Sequence, residues 1–405
     1  MILIVSLLIL ITLIAYSFLG FRAAFKTPTS KLIISYGILL AVFVAGILLI
    51  WQRQTSDYGN VSLWLNLLIG MLTAIFLLLL FSVFFFGIED IARLFVWIFV
   101  SLLKPKNRAF PKRNKNVART LLFIGAITLV LVLYGVLFGF SHYKVHRVVV
   151  EHEDIPASFD GFTVAQLSDM HLGTFGSIMQ VEKGLEMLQK EHPDLLLFTG
   201  DLVNNRSSEA IPYIELLKAI EAPYGKFAVL GNHDYAHYAR QLTQIDQEAD
   251  ELKLRDILNS IGFTILENQN TAILRGNDSI VIAGVENWGI APFPQYGDLS
   301  KALAGVSDSN FVILLSHDPS HWTEQVLGFY APVNLTLSGH THGMQLGIET
   351  KLFKWSPVKY RYRNWSGMHE QDGKLLYVNR GFGGIGFPGR IGIRPEITIF
   401  ELSSK

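Results

Sequence analysis

Apolar positions are distributed in two different ways along this chain. Over the first 140 residues they run in long, nearly unbroken stretches. After residue 141 they come in short bursts, each followed at once by polar residues. A helix needs about 20 apolar residues to cross a bilayer core, and four stretches meet that length: Met1–Leu19, Leu32–Trp51, Leu63–Gly87 and Thr120–Phe140. None contains an ionisable side chain other than tyrosine. Residues 88–103 open with Glu89, Asp90 and Arg93, and the apolar remainder is too short to span. They read as an interfacial helix or as a helical extension of the third span. A signal peptide is disfavoured for the first stretch, which lacks a basic leader and a small-residue cleavage site.

Loop charges orient the spans. The first loop carries Arg22, Lys26 and Lys31, and the second only Arg53 against Asp57. The third carries Lys104, Lys106, Arg108, Lys112, Arg113, Lys115 and Arg119. Positive loops stay in the cytoplasm. Four spans then put both termini, and everything after residue 141, on the outer face. The spans hold no buried charge of the kind that transport and proton relays need, so residues 1–141 read as an anchor rather than a transporter.

Residues 142–405 alternate short β-type runs with amphipathic helical segments, the pattern of an α/β domain. Phe162–Leu167, Leu195–Phe198, Phe227–Leu230, Ile280–Val285, Phe311–Leu315 and Val333–Leu337 predict buried strands, and Val145–Glu151 a first strand leaving the membrane. Ser177–Glu191 and Asp246–Ile261 have helical spacing. Gly381–Gly389 is glycine-rich but opens no helix, so it is a loop. Some 260 residues can bury one sizeable core.

Composition narrows the chemistry. Lys plus Arg and Asp plus Glu each number 34 in 405 residues, which argues against a nucleic-acid partner, whose phosphates demand excess positive charge. With no cysteine there is neither a disulfide nor a thiolate ligand or nucleophile.

Five apolar runs end directly in polar clusters. They supply Asp169 and His171; Asp201; Asn232, His233 and Asp234; His317 and Asp318; and His340 and His342. Ligands of α/β sheets bind beyond the carboxyl ends of strands, so these five ends would share one rim. Carboxylate, imidazole and amide donors suit Mn, Fe or Zn. The D-x-H and H-x-H spacings would set two ligands on one side of an extended chain. This supply exceeds one tetrahedral site, and a carboxylate can bridge, so two divalent ions sharing Asp201 is the economical solution.

The ordered series D-x-H, G-D, G-N-H-D, H and G-H-x-H resembles the signature of calcineurin-like metallophosphoesterases across residues 145–405. The Gly-Met-Gln after the last cluster and the closing Arg-Pro-Glu resemble the membrane-associated bacterial branch. The resemblance implies a fold of two packed β-sheets flanked by helices. It implies one metal on Asp169, His171, Asp201 and His342, and a second on Asp201, Asn232, His317 and His340. It also implies His233 as the catalytic histidine, with Asp234 beside it as an orienting carboxylate. Two ions ~3.5–4 Å apart can clamp a phosphate ester and acidify a bridging water, whose hydroxide attacks phosphorus while His233 meets the leaving oxygen.

The anchor and the outward orientation favour a membrane- or envelope-associated substrate, such as a lipid-linked phosphate ester, with the bilayer itself as a partner. A metal- and phosphate-binding sensor without turnover is the competing reading, against which the intact His233 weighs. Arg380 and Arg390 flank the glycine-rich loop and are candidates for contacting a phosphate. Aromatic and basic residues interleave in Lys351–Met368, which suits a membrane surface, a substrate lid or a solvated loop.

Overall fold

Helical backbone is the way a run of apolar residues satisfies its own N–H and C=O groups where water is excluded, and the described parts of the first third of the chain are helical except for residues 109–114. The computed structural model describes residues 2–25, 29–54, 63–103, 109–239, 241–328, 333–350 and 352–405. It divides into two compact units, Met1–Asp57 with Leu67–Tyr134, and Tyr58–Asn66 with Gly135–Lys405. Asp57, Lys26, Lys104, Lys106, Arg108 and Lys351, which entered the charge reading, lie outside the described residues.

The first unit is built from α1 (Ile2–Phe25), α2 (Thr29–Gln54), α3 (Leu63–Leu103) and α4 (Lys115–Phe138). Among the described residues, Leu8–Phe25, Leu63–Leu103 and Lys115–Ser141 are long and apolar enough to cross a membrane, and Ile33–Leu49 is a shorter apolar helix. Small inward clusters join them: Leu10, Leu13, Phe43, Leu72 and Leu79 in one, Phe21, Ala24, Phe86, Ala118 and Leu121 in another. Phe84, Phe95, Phe99, Phe123 and Val130 are exposed, as side chains facing acyl chains would be.

Residues 88–103 do not form a separate interfacial helix. They continue α3 without a break. The sequence after Gly87 offers neither a proline nor a cap to stop the helix, and the polar residues at this point are satisfied sideways. Asp90 accepts from Tyr16 (2.6 Å), Arg93 (2.7 Å) and Arg113 (2.8 Å). Glu89 accepts from the Asn114 backbone amide (2.5 Å) and pairs with Arg113 (3.3 Å).

The second unit carries two six-stranded sheets. The first runs β1 (Lys144–His152), β14 (Glu396–Ser404), β2 (Thr163–Leu167), β3 (Leu195–Phe198), β4 (Lys226–Ala228) and β5 (Phe263–Ile265). The second runs β12 (Gly367–Gln371), β13 (Lys374–Val378), β9 (Leu335–Ser338), β8 (Val312–Leu315), β7 (Asp278–Gly284) and β6 (Gln269–Arg275). A short hairpin, β10 (Ile348–Glu349) and β11 (Lys354–Trp355), stands apart from both. Helices α5 (Ile178–Gln189), α6 (Ile214–Lys218) and α7 (Gln244–Ile261) cover the first sheet, and α8 (Leu299–Ala302) packs on the second.

The short apolar strands are buried on both faces, and alternation sorts their side chains. In β3, Leu196 and Phe198 join the helix-covered core while Leu195 and Leu197 enter the core between the sheets. In β8, Ile313 and Leu315 face that same inter-sheet core, and Val312 and Leu314 face outward to α8. Parallel pairing then brings strand ends level: Leu167 opposite Phe198 opposite Ala228 in one sheet, Leu315 opposite Leu337 in the other. The polar clusters begin at these ends.

Leu197 is fully buried between the sheets. Leu197→Ala should cost about 2–5 kcal/mol through lost transfer energy and an unfilled cavity. The exposed Leu352→Ala should stay within about 0.5 kcal/mol of the parent. Melting temperatures of the two variants check this, and equal shifts would refute it.

Candidate metal centre

The loops leaving these strands are tied to one another before any side chain is considered. The Asp169 amide donates to Gly200 O (2.9 Å), and those of His171 and Leu172 to Asp201 O and Leu202 O (3.1 and 3.0 Å). Across the sheets, the His340 amide donates to the Asp169 carboxylate (2.9 Å) and the His317 ring to Thr199 O (2.7 Å). Beneath them lies Gln166, a polar residue on the inter-sheet face of β2. Its amide nitrogen donates to Thr199 Oγ1 and to Ser338 O, both at 3.0 Å, joining the sheets just below the rim.

Five of the predicted ligands adopt left-handed backbone: Asp169 (φ 52°), His171 (44°), Asp201 (61°), His340 (67°) and His342 (51°). The expectation of an extended chain with alternate residues on one side therefore fails. Each of these residues sits in a tight turn after its strand has ended, and the turn, not the pleat, aims the side chain. Such conformations cost of order 1–3 kcal/mol each for non-glycine residues and cluster at functional sites. Gly200 shares the left-handed region (φ 94°). Gly231 serves differently: a Cβ there would overlap the Asp201 carboxylate.

The turns gather the side chains into two groups, each with its ligand atoms within 4.8 Å of one another. Asp169, His171 and His342 form the first, Asp201, His317 and His340 the second. His340 and His342, two residues apart, go to different groups. Asp201 reaches both, with Oδ2 3.1 Å from His317 Nε2 and 3.4 Å from His171 Nε2. Asn232 is buried nearby. Its Nδ2 donates to Tyr238 OH (2.9 Å), while its Oδ1 is buried without a partner.

This donor set is one that a cation reconciles. His171 Nδ1 lies 3.2 Å from Val203 O and His317 Nδ1 2.7 Å from Thr199 O. Those carbonyls take the Nδ1 protons, so each Nε2 turns a lone pair inward. There it meets other acceptors: His171 Nε2 lies 3.1 Å from His342 Nε2, and His317 Nε2 faces a carboxylate oxygen. The same crowding moves the proton equilibria. Burial opposes it, yet Asp201 and Asp169 push His317 up to about 10, so with no cation bound its Nε2 carries a proton to Asp201 in place of that lone pair. Against burial, His317, His233 and His171 hold the Asp201 carboxyl well below its usual range.

Asp234 does not orient His233. Its carboxylate accepts from the backbone amides of Asp201 (2.7 Å), Leu202 (2.8 Å), Val203 (3.4 Å) and Gly231 (2.9 Å). His233 instead sets Nδ1 2.6 Å from Asn204 O and stacks on Tyr238, ring centroids 4.2 Å apart. Burial lowers His233 to about 4.

Neither arginine beside the glycine-rich loop presents its charge to a phosphate. Arg380 is buried between Glu396 (2.5 Å) and Glu349 (2.6 Å). Arg390 directs Nε and Nη2 at the carbonyls of Gly383, Gly381 and Arg380, bracing the loop whose Gly383 amide holds Asp169 O (2.9 Å). In the 351–368 segment, Tyr362 and Trp365 are buried and Tyr360 is exposed. Tyr362 OH bridges His340 Nε2 (2.9 Å) and Asp318 (3.2 Å). His321, outside the motifs, is a core residue bonded to Ser316 and Gln325. The exposed His237 meets Tyr296 (3.1 Å). Sequence spacing gave no sign of Asn204, Tyr238 or Glu209. Gln166 did leave one, as the polar residue in an apolar strand.

A family profile described as "Calcineurin-like phosphoesterase" matches residues 162–344, and one described as "Probable Calcineurin-like phosphoesterase, transmembrane domain" matches residues 1–140. The metallophosphoesterase YkuE of Bacillus subtilis is 31% identical over 66% of this chain and 90% of its own length. A transmembrane protein with metallophosphoesterase domain from Danio rerio is 29% identical over 83% of this chain and 73% of its own. The UDP-2,3-diacylglucosamine pyrophosphatase LpxG of Chlamydia muridarum is 28% identical over 56% of this chain and 80% of its own.

Glu209 supplies a pH test. Burial raises its carboxyl from 4.5 to about 7, although the amides of Asn204, Asn205 and Arg206 pull the other way. Between those two values the folded chain holds a proton that the unfolded chain has released. Stability therefore falls as pH rises through this window and levels off above it, by about 3 kcal/mol in all. Glu209→Gln should remove that fall. Melting temperatures of parent and variant should diverge in favour of the variant from pH 5 to 7, and parallel curves would refute the assignment.

Proposed function

The chain belongs to the calcineurin-like phosphoesterase family, and we propose that it uses two divalent ions sharing Asp201 to hydrolyse a phosphate ester at the membrane. One observation carries this reading: two groups of three candidate ligand side chains, five of the six residues buried, meet at a single carboxylate. Asp169, His171, Asp201 and His342 would hold one ion, and Asp201, Asn232, His317 and His340 the other. When bound, such ions neutralise phosphate charge and lower the pKa of water. The chain's own residues do the rest. Val203 O and Thr199 O fix the tautomers of His171 and His317, and Tyr238 turns Asn232 so that Oδ1 faces inward. His233, with Nδ1 committed to Asn204 O, offers Nε2 to the substrate. The charge of a bound phosphate raises its low pKa, so that Nε2 can carry a proton to the leaving oxygen.

We infer a lipid-linked or envelope-associated ester as the substrate class. The apolar helices support it, as does a run of exposed apolar side chains just past His342: Met344, Leu346, Ile348, Leu352 and Phe353. The name of the chlamydial relative describes a diacylated sugar nucleotide, which supports a lipid-linked class but one expected on the cytoplasmic side. Four spans with the positive loops inside would put the catalytic domain on the outer face.

Full-length protein should hydrolyse a chromogenic phosphodiester only with a divalent metal such as Mn²⁺. Asp201→Asn should lose both turnover and bound metal. His233→Ala should keep the metal and lose about 10²–10⁴ in kcat on an ester with a poor leaving group, such as methyl phenyl phosphate. Parent-level turnover by either variant would sink the assignment, and metal-loaded parent inert on every phosphate ester tried would favour a binding module. For topology, reporter fusions at Lys405 and Lys112 should report outside and inside respectively. A cytoplasmic signal from the Lys405 fusion would reverse the orientation.

A further inference from the structure

Asn66 is a polar residue in an apolar run, and it belongs to the same compact unit as the metal centre. It lies in the first turn of α3 and is 4% exposed. Its Nδ2 donates not to its own helix but to Thr174 O (3.1 Å). The approach there is close, since a Cβ on Gly176 would stand 3.3 Å from the Leu63 backbone. Thr174 ends the short helical turn that follows His171, and its own amide donates to His171 O (2.9 Å). The Thr174 hydroxyl accepts from Asn204 Nδ2 (2.7 Å). The Asn204 amide donates to the Glu209 carboxylate (2.6 Å). Asn204 is thus held from both sides, and its carbonyl is the group 2.6 Å from His233 Nδ1.

We propose that Asn66 is a positioning residue for His233, acting through Thr174 and Asn204. Each link has a chemical reason. The tautomer and direction of an imidazole are set by what its second nitrogen bonds, and outer-shell partners of this kind govern how well the first acts. Here that partner is a backbone carbonyl on a loop between strands, which by itself has no fixed direction. Thr174 fixes it through the Asn204 side chain, and Asn66 fixes Thr174. Leucine at position 66 would suit an apolar helix at least as well, so the amide is explained by its partner and not by the helix. The inference rests on the reading that His233 serves the leaving oxygen.

The test uses full-length, Mn²⁺-loaded protein in detergent and two esters that differ only in leaving group, methyl p-nitrophenyl phosphate and methyl phenyl phosphate. Phenolate needs its proton more than nitrophenolate does. Asn66→Leu should lower kcat on the phenyl ester by about tenfold and leave the nitrophenyl ester nearly unchanged, a fraction of what a full general acid supplies. KM and metal content, the latter by elemental analysis, should not move. In a His233→Ala background Asn66→Leu should have no further effect. Thr174→Val breaks the chain at its next link, and should give the same selective loss even where Asn66→Leu fails to fold. Equal loss on both esters, an additive loss in the His233→Ala background, or reduced metal content would overturn the proposal and leave Asn66 a structural brace. Should His233→Ala itself fail to discriminate the esters, the role of His233 falls and the proposal with it. Should His233→Ala discriminate while Asn66→Leu and Thr174→Val do not, the proposal alone falls.

Discussion

Four backbone amides converge on the carboxylate of Asp234, and the centre depends on that convergence. Three belong to the turn after β3, Asp201 to Val203, and the fourth to Gly231 after β4. Burial and the Asp201 charge push the Asp234 carboxyl up to about 7, while the hydrogen bonds from Gly231 and Asp201 pull it back down. Together these bonds hold Asp201 in left-handed backbone, where its side chain reaches ligands drawn from both sheets. Asp201 in turn takes the His233 amide on Oδ1 (2.9 Å). The G-D and G-N-H-D turns are therefore one structure, although their carboxylates are 33 residues apart.

How far the chain could be read in advance depended on the range of the interactions involved. Strands such as Leu195–Phe198 and Phe311–Leu315 announce themselves by continuous apolar composition, and the polar residues that follow mark where each strand stops. Those two local signals suffice to place seven candidate ligands at strand ends. Backbone angle is not encoded in spacing, so D-x-H looked like alternation on a pleat where the chain in fact turns. The partner of Asp234 was equally invisible. A carboxylate beside a histidine suggests an ion pair, and nothing local reveals that amides from another turn compete for it and win. Arg380 and Arg390 misled for the same reason. Their charge was legible, but not Glu349, Glu396 and the carbonyls that absorb it.

The helical third shows the opposite balance. Hydropathy and loop charge outlined its segments, because an apolar environment leaves few alternatives to a helix. What they could not outline was the ionic cluster of Glu89, Asp90, Arg93 and Arg113, which lets α3 run on past the end of its apolar stretch. Charges read as a boundary were instead paired across the chain.

The compact unit that holds the candidate metal ligands is assembled from two separate pieces of sequence, Tyr58–Asn66 and Gly135–Lys405. No single cut in the polypeptide isolates it. A water-soluble fragment beginning after α4 would keep every ligand and both sheets, yet leave behind the amide that Thr174 O receives. Kinetics measured on such a fragment would describe an enzyme whose Thr174 carbonyl, in the turn after His171, is held by one fewer partner. For this chain, removing the anchor is itself a mutation of the catalytic unit.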